Sequence, residues 1–182
     1  MTIKDIVLTA LCAALIAALG FLPALPVSFI PVPLTFQTLG VMLAGSILGA
    51  KRGVAAVLII YILVAAGMPL LAVGRGGLTQ FVSPTSGYLY GWIVGVFIIG
   101  WGYERLNQYT PRYSSILEIV FLVVGGVVAI HLCGILWLTL NRYMTFDKAI
   151  LMDLVFVPGD LIKVALTFII TRALYKALPE KL

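Results

Sequence analysis

The charged residues of this chain are separated by long apolar stretches, and these gaps limit what the chain can fold into. No charged residue occurs between Asp5 and Lys51, and residues 53–74, 76–103 and 119–141 also lack Asp, Glu, Lys and Arg. About 20 apolar residues cross the hydrocarbon core of a bilayer as a helix. Charged residues make up 10% of the chain, against about 25% in soluble domains. We therefore predict a multi-pass membrane protein.

The apolar segments predict six transmembrane helices without an appended soluble domain. The predicted spans are residues 3–22, 34–50, 53–66, 86–103, 116–140 and 158–178. Residues 1–182 are thus expected to form one all-α, six-helix transmembrane domain. A proline-rich connector follows the first span, and the connector before the last span is long enough for a short helix at the membrane surface.

Lys and Arg are distributed unequally between the two ends of the predicted bundle, and this asymmetry predicts its orientation. Eight basic residues lie at one end: Lys4, Lys51, Arg52, Arg105, Arg112, Arg172, Lys176 and Lys181. Three lie at the other end: Arg75, Arg142 and Lys148. Because positive residues concentrate on the cytoplasmic side, both termini are predicted to be cytoplasmic. The net charge of +5 therefore reflects orientation in the bilayer, and no nucleic-acid partner is expected.

The sequence lacks the patterns of a catalytic or metal-binding protein. It contains no G-x-x-x-x-G-K-[ST] phosphate-binding motif, so any nucleotide-driven step requires a separate ATPase. Cys12 and Cys133 lie in apolar runs far from other ligand types, which argues against a metal site or a disulfide. His131 lies alone within the fifth span, and we interpret it as a hydrogen-bonded packing residue. We expect no catalytic residue, metal or cofactor.

Two opposite charges enter the last apolar helix three residues apart. Asp160 and Lys163 share one face of a helix at this spacing, and Pro158 suits the first helical position, where the dipole favours a nearby anion. Ionisable groups inside a span are costly and normally face the protein interior or a water-filled cavity. The pair is predicted to offer an acceptor and a donor to a small molecule. A helix-stabilising ion pair and a proton relay remain open alternatives.

Other residues near the same outward end are candidate ligand contacts. Gln37, in the second span, contacts either a ligand or a neighbouring helix. Arg75, Gly76 and Gly77 offer a guanidinium and closely approachable backbone N–H groups to a carboxylate, or form an exposed turn. Aromatic residues at this level line an apolar pocket or form an interfacial belt; they are Phe36, Phe81, Tyr88, Tyr90 and Trp92.

Small residues recur at four-residue spacing in the first span. Ala10 and Ala14 are one such pair, and a face of this kind lets another helix approach closely. The face either packs inside the bundle or docks a separate membrane partner.

Four motifs in this order resemble the BioY family, the biotin-specific S components of energy-coupling factor (ECF) vitamin transporters. They are PVPLTFQTLG at 31–40, GAKRG at 49–53, the glycine-rich loop leading to PTSGYL at 84–89, and PGDLIK at 158–163. The resemblance implies a non-enzymatic, six-helix subunit of a prokaryotic cell membrane that captures biotin from outside. It further implies a membrane coupling subunit, docked on Ala10 and Ala14, and a pair of ABC-type ATPases.

With biotin as the implied ligand, the candidate residues acquire specific roles. The ureido ring has two N–H donors and one carbonyl, so Asp160 is predicted to accept from a ring N–H and Lys163 to donate to the ureido oxygen. The rings and tail would lie against aromatic walls that include Tyr88. The tail carboxylate is expected near the glycine-rich loop, where Thr79 and Gln80 are further candidates.

Three other functions are weighed against this one. They are an S component for another vitamin such as riboflavin or thiamine, a carrier in which Asp160 cycles a proton, and a small intramembrane enzyme using Asp160 or His131. The lack of a visible internal repeat argues against the carrier. The enzyme is disfavoured because no second carboxylate or nucleophile lies near Asp160 in the sequence.

Overall fold

The computed structural model describes residues 2–23, 35–109 and 115–177, and most of this length is helical. The helices are α1 (Ile3–Gly20), α2 (37–48) and α3 (50–65), which are the two arms of Gln37–Ala65, α4 (Ser86–Tyr109), α5 (Ser115–Leu140), α6 (Phe146–Asp153) and α7 (Val157–Ala177). The all-α, six-helix membrane fold is confirmed, with α6 as the predicted short helix before the last span. The proline-rich connector, together with the first four residues of the 31–40 motif, lies outside the described residues.

Helix α1 begins with a capping box that fixes its first turn. The Thr2 hydroxyl accepts a hydrogen bond from the Asp5 backbone N–H at 3.2 Å, and the Asp5 carboxylate accepts one from the Thr2 N–H at 2.8 Å. These bonds satisfy backbone donors that would otherwise lack partners at the helix start. Asp5 also pairs with Arg52 at 2.7 Å, which ties the start of α1 to the first turn of α3.

Helices α2 and α3 form a tight antiparallel hairpin that turns at Gly49. Gly49 has φ +80°, and a Cβ there would lie 2.2 Å from Glu104 Oε1, so only glycine fits. The Glu104 carboxylate accepts a hydrogen bond from Ala50 N–H at 2.9 Å and so caps the first turn of α3. A Cβ on Gly53 would lie 3.2 Å from the Ala44 carbonyl oxygen, which shows that the two arms run side by side.

The predicted break between the second and third spans is therefore correct, but its position is not. The sequence placed it at Lys51-Arg52, whereas both residues lie in α3, after the turn at Gly49. Likewise α4 continues through Glu104 and Arg105 to Tyr109, although the sequence predicted a connector from residue 104. In both places the charged residues end the apolar run but lie inside a helix, because Lys, Arg and Glu do not disfavour helical backbone.

Helices α4 and α5 cross closely through glycines. A Cβ added to Gly95 would lie 2.4 Å from the Gly125 carbonyl oxygen, and one added to Gly91 would lie 2.8 Å from Ile130 Cα. Small residues at four-residue spacing permit this approach between transmembrane helices.

Within α5, Val124–Ala129 is a π-helical segment, and His131 comes almost immediately after it. Such segments insert an extra residue into a helix and change the register of the residues that come after them.

The membrane character of the fold agrees with the apolarity of its helices. Among the described residues, Ile3–Gly20 and Ser115–Leu140 are long and apolar enough to cross a membrane, and α6 with α7, bent by 48°, is a further candidate. Gln37–Ala65 reaches that length only as the sum of α2 and α3. Each arm of the α2–α3 hairpin is shorter than the ~20 residues that usually span a bilayer. The first turns of α2, α4 and α7 meet at the end of the bundle opposite Ile3, together with the loop that joins α3 to α4.

Candidate ligand-binding site

One cavity opens at this end of the bundle, between α2, α4, α5, α7 and the loop that joins α3 to α4. It encloses about 620 Å³ of space, a figure that includes open solvent at its mouth. Its polar lining residues are Thr35, Gln37, Thr38, Arg75, Thr85, Tyr88, His131, Asp160 and Lys163. Its apolar lining residues are Leu71, Ala72, Leu89, Trp92, Ile130 and Phe156.

The predicted pairing of Asp160 with Lys163 is confirmed, and both side chains line this cavity. Lys163 Nζ lies 2.7 Å from Asp160 Oδ1, and the two residues are only 6% and 5% exposed. Asp160 lies in the first turn of α7, as the position of Pro158 predicts. A buried ion pair is stable only with good geometry and further hydrogen bonds, and both are present here.

Lys163 already uses all three of its N–H donors. Its Nζ donates to the Thr35 carbonyl oxygen at 2.5 Å, to Thr38 Oγ1 at 2.9 Å and to Asp160 Oδ1 at 2.7 Å. An ammonium group has three donors and no acceptor. A ligand oxygen can therefore bind Lys163 only by replacing one of these three acceptors.

The structure brings together a larger polar cluster than the sequence predicted. His131 Nε2 lies 2.9 Å from Asp160 Oδ2, and His131 Nδ1 lies 2.8 Å from the Asp153 carboxylate. Tyr88 donates its hydroxyl to Asp153 Oδ1 at 2.8 Å. His131 is thus more than the packing residue expected from its isolation in the sequence, and a second carboxylate does lie near Asp160. The only sequence signal for it was an ionisable residue in the middle of an apolar span.

The loop that joins α3 to α4 contributes Arg75 to the cavity, but its other predicted residues do not line it. Arg75 donates Nε to the Ala72 carbonyl at 3.2 Å, and its terminal nitrogens make no hydrogen bond within the described residues. Gly76, Gly77, Thr79 and Gln80 lie outside the lining, and Thr79 is exposed. Antiparallel backbone hydrogen bonds between Leu71 and Arg75 close a small loop, and the Gly77 N–H that follows donates to the Val64 carbonyl of α3.

Two of the five predicted aromatic residues line the cavity, and three do not. Tyr88 and Trp92 belong to the lining, and the ring of Trp92 stacks on Tyr61. Phe81 packs edge-on against Tyr61, while Tyr90 is partly exposed and donates its hydroxyl to the Phe81 carbonyl. Phe36 is 40% exposed. The pocket interpretation therefore holds for Tyr88 and Trp92, and the belt interpretation stays a prediction for the exposed Phe36 and Tyr90.

Gln37 has a structural role that sequence reasoning left open. Its Nε2 donates to the Ile16 and Leu70 carbonyls at 3.2 and 3.0 Å, and its Oε1 accepts from Ala72 N–H at 3.0 Å. The side chain is 1% exposed. Gln37 thus joins α1, α2 and the loop that joins α3 to α4, and the geometry favours the interhelical interpretation.

Replacing Gln37 with Leu is expected to lower the free energy of unfolding by about 2–4 kcal/mol, because buried polar groups in two other elements lose a partner. The measurement is thermal unfolding of the purified protein in detergent. Asn141→Leu is the matched control, since Asn141 is exposed and its amide bonds the Trp137 carbonyl, one turn back in α5, rather than another element. Equal melting temperatures for the two variants would contradict the anchoring role.

The fold and the site define a class of protein. A bundle of apolar helices holds a cavity at its end, and a buried acceptor and donor pair lies among the polar and aromatic residues of its wall. These are the features of a membrane protein that holds a small polar molecule.

Comparisons with known proteins identify the family. The model of the BioY family matches residues 1–180. The biotin transporter BioY of Rhizobium etli is 46% identical over the full length of both chains, and that of Rhodobacter capsulatus is 41% identical over 98% of this chain and 97% of the relative. The crystal structure of an S component for biotin from an ECF-type ABC transporter superposes with a TM-score of 0.91, at 36% identity, over 97% of this chain and 95% of that one.

The chain belongs to the BioY family. The resemblance inferred from the four sequence motifs is thereby confirmed. The protein is a membrane transport subunit and not an enzyme.

Proposed function

We propose that this chain is the biotin-binding S component of an ATP-driven ECF importer in a prokaryotic cell membrane, and that it needs no cofactor of its own. The observation that carries the proposal is the Asp160–Lys163 pair, buried side by side in the wall of the cavity. The names of the relatives and of the solved S component support biotin as the ligand. Both termini are cytoplasmic, and the cavity opens to the outside.

Asp160 has one acceptor position free for a ring N–H of the ligand. A carboxylate offers about four lone pairs. Oδ1 accepts from Lys163 and Thr38, and Oδ2 accepts from His131. The remaining lone pair lies on Oδ2, and one ureido N–H takes it.

The ureido oxygen binds Lys163 by replacing one of the acceptors that Nζ has without ligand. Of the three acceptors around Nζ, one belongs to the ion pair and one is the backbone carbonyl of Thr35, whereas the Thr38 hydroxyl can rotate away. The ligand oxygen takes the place of Thr38. This exchange conserves the number of hydrogen bonds on Lys163, so the buried ammonium is satisfied with and without ligand. The rotation of Thr38 also breaks its hydrogen bond to Asp160 Oδ1 and frees a second acceptor position on that carboxylate.

The tail carboxylate of biotin binds Arg75. Arg75 is a cationic residue of the cavity lining outside the buried cluster, and its terminal nitrogens remain available. A guanidinium binds a carboxylate through two parallel hydrogen bonds. The apolar rings and tail of the ligand lie against Trp92, Phe156 and Ile130.

The direct test is to identify the ligand. Protein purified in detergent from biotin-containing medium is expected to release about one biotin per chain, measured by mass spectrometry after denaturation. After removal of the ligand, titration calorimetry should show one site for biotin and none for riboflavin or thiamine. A different co-purified vitamin, or no heat with biotin, would overturn the proposal.

The ureido ring is expected to dominate ligand selection. Desthiobiotin keeps this ring and should bind within about tenfold of biotin, since it loses only apolar contact. An analogue lacking the ring should bind about 100-fold more weakly, because each polar group it leaves unmatched costs about 1–3 kcal/mol. Calorimetry on the three compounds measures the difference. Similar affinities for all three compounds would show that the ureido ring does not determine ligand selection.

A further inference from the structure

The histidine between two carboxylates is a feature that the proposed ligand contacts do not require. His131, on α5, lies between Asp153 on α6 and Asp160 on α7, and all three side chains are buried. His131 is the single histidine of the chain. Together with Lys163, these residues form a continuous row of contacts from α6 to α7, which we name the charge row.

Counting hydrogen atoms across the charge row shows that a neutral His131 does not fit. Both ring nitrogens lie within 2.9 Å of a carboxylate oxygen. A neutral imidazole donates from one nitrogen and carries a lone pair on the other, so one nitrogen would face a carboxylate oxygen with no proton between them. One additional proton must therefore lie on the imidazole or on one of the two carboxyl groups.

The charge of the row itself favours the same proton. With His131 neutral, two carboxylates and one ammonium leave the charge row with a net charge of −1, and Arg75, the other cation of the lining, bonds the Ala72 carbonyl rather than a member of the row. An uncompensated buried charge is strongly unfavourable. The remaining polar groups that line the cavity near His131 are Tyr88, which bonds Asp153, Thr38, which bonds Asp160, and Arg75, whose Nε bonds the Ala72 carbonyl.

We propose that His131 is an imidazolium held between Asp153 and Asp160, and that it is a positioning residue that fixes Asp160 for the ligand. The proton lies on the imidazole because each carboxylate accepts other donors, and these favour its ionised form. Asp153 accepts from Tyr88, and Asp160 accepts from Lys163 and Thr38.

The consequence for the ligand site is a fixed carboxylate orientation. The His131 N–H holds Asp160 Oδ2, which is the oxygen assigned to the ligand N–H, while Lys163 holds Oδ1. Asp153 is absent from the cavity lining and contacts it through His131 and through Tyr88. This positioning role rests on the proposed function, whereas the protonation state of His131 does not.

A spectrum of the ligand-free protein tests the protonation state alone. Because the chain has one histidine, ¹⁵N-histidine labelling of protein carrying a non-histidine affinity tag gives the signals of His131 only. At about pH 7.5 an exposed imidazole is mostly neutral, yet both ring nitrogens of His131 are expected in the chemical-shift range of protonated nitrogen. One unprotonated nitrogen would overturn the proposal by placing the proton on a carboxyl group.

Asp153→Asn tests the positioning role. Removing this carboxylate leaves the row balanced with a neutral imidazole, so one ring nitrogen should become unprotonated and biotin affinity should fall about tenfold. Asp147→Asn is the matched control, because Asp147 is an exposed acid in the same short helix. It should change neither the protonation of the His131 ring nitrogens nor the affinity for biotin. An imidazolium that persists in Asp153→Asn, or unchanged affinity, would contradict the role. If wild-type protein fails to bind biotin but His131 is protonated, the proposed function fails and the charge row stands.

Discussion

Replacing Asp160 with Asn is expected to weaken biotin binding by about 10- to 150-fold, the largest effect of any single conservative change in the cavity. Asn has the same size, but it turns one acceptor oxygen into an NH₂ donor and removes the negative charge between Lys163 and His131. Losing a hydrogen bond to a charged group costs about 1.5–3 kcal/mol, and every 1.4 kcal/mol is tenfold in affinity. Titration calorimetry in detergent measures this loss.

The same change leaves Lys163 and His131 each with one fewer anionic partner, so folding must be tested separately from binding. The double variant Asp160→Asn with Lys163→Met removes both members of the pair and should restore thermal stability but not binding. Asp147→Asn, in an exposed position, should bind biotin like the wild type. Wild-type affinity in Asp160→Asn would show that the pair is only a structural ion pair.

The second large effect is expected at the surface of α1, where Ala10→Leu and Ala14→Leu together should abolish ATP-driven uptake and leave biotin affinity unchanged. Both alanines are exposed in the structure, whereas Ala13 and Ile16 of the same helix are buried. The face that carries Ala10 and Ala14 is therefore not packed against the described residues of this chain. Two leucine side chains would hold a partner helix away from the close approach that small residues permit.

Uptake is measured in proteoliposomes that contain this chain, the coupling subunit and the ATPase pair. Ala165→Leu with Ala173→Leu, at two exposed alanines of α7, is the matched control for adding apolar bulk to the lipid-facing surface and should retain uptake. Loss of biotin binding in the α1 variant would show that the face with Ala10 and Ala14 packs inside the protein instead. Biotin uptake by this chain alone under a proton gradient would support the carrier function.

The part of the site that could be predicted consists of residues that lie close together in the sequence. Asp160 and Lys163 are three residues apart on one helix, so helical periodicity alone brings them together, and the apolar span around them indicates that they face a cavity. The same reasoning did not extend to the loop that joins α3 to α4. Thr79 and Gln80 lie outside the cavity lining, after the backbone pairing of Leu71 with Arg75, and no local pattern in the sequence predicts this pairing.

The role of His131 depended on contacts between residues far apart in the chain. Its partners lie 22 and 29 residues away, on α6 and α7. Its direction from α5 is set by the π-helical segment before it and by the close crossing of α4 and α5 at Gly91 and Gly95. Periodicity read from the sequence assumes a regular helix, so it does not give the direction of a side chain that comes after such a segment.

The spacing of charges alone determined that this chain is a helical membrane protein, because the thickness of a bilayer and the rise of a helix convert sequence distance directly into structure. The ion pair of α7 and the family were predictable from motifs that are equally local. Only the tertiary structure decided that Gln37 joins three elements, that the hairpin turns at Gly49 against Glu104, and that Asp153 reaches the ligand site through His131. Each of these depends on which helices pack together and at what rotation, and packing joins residues whose distance along the chain carries no information about their distance in space.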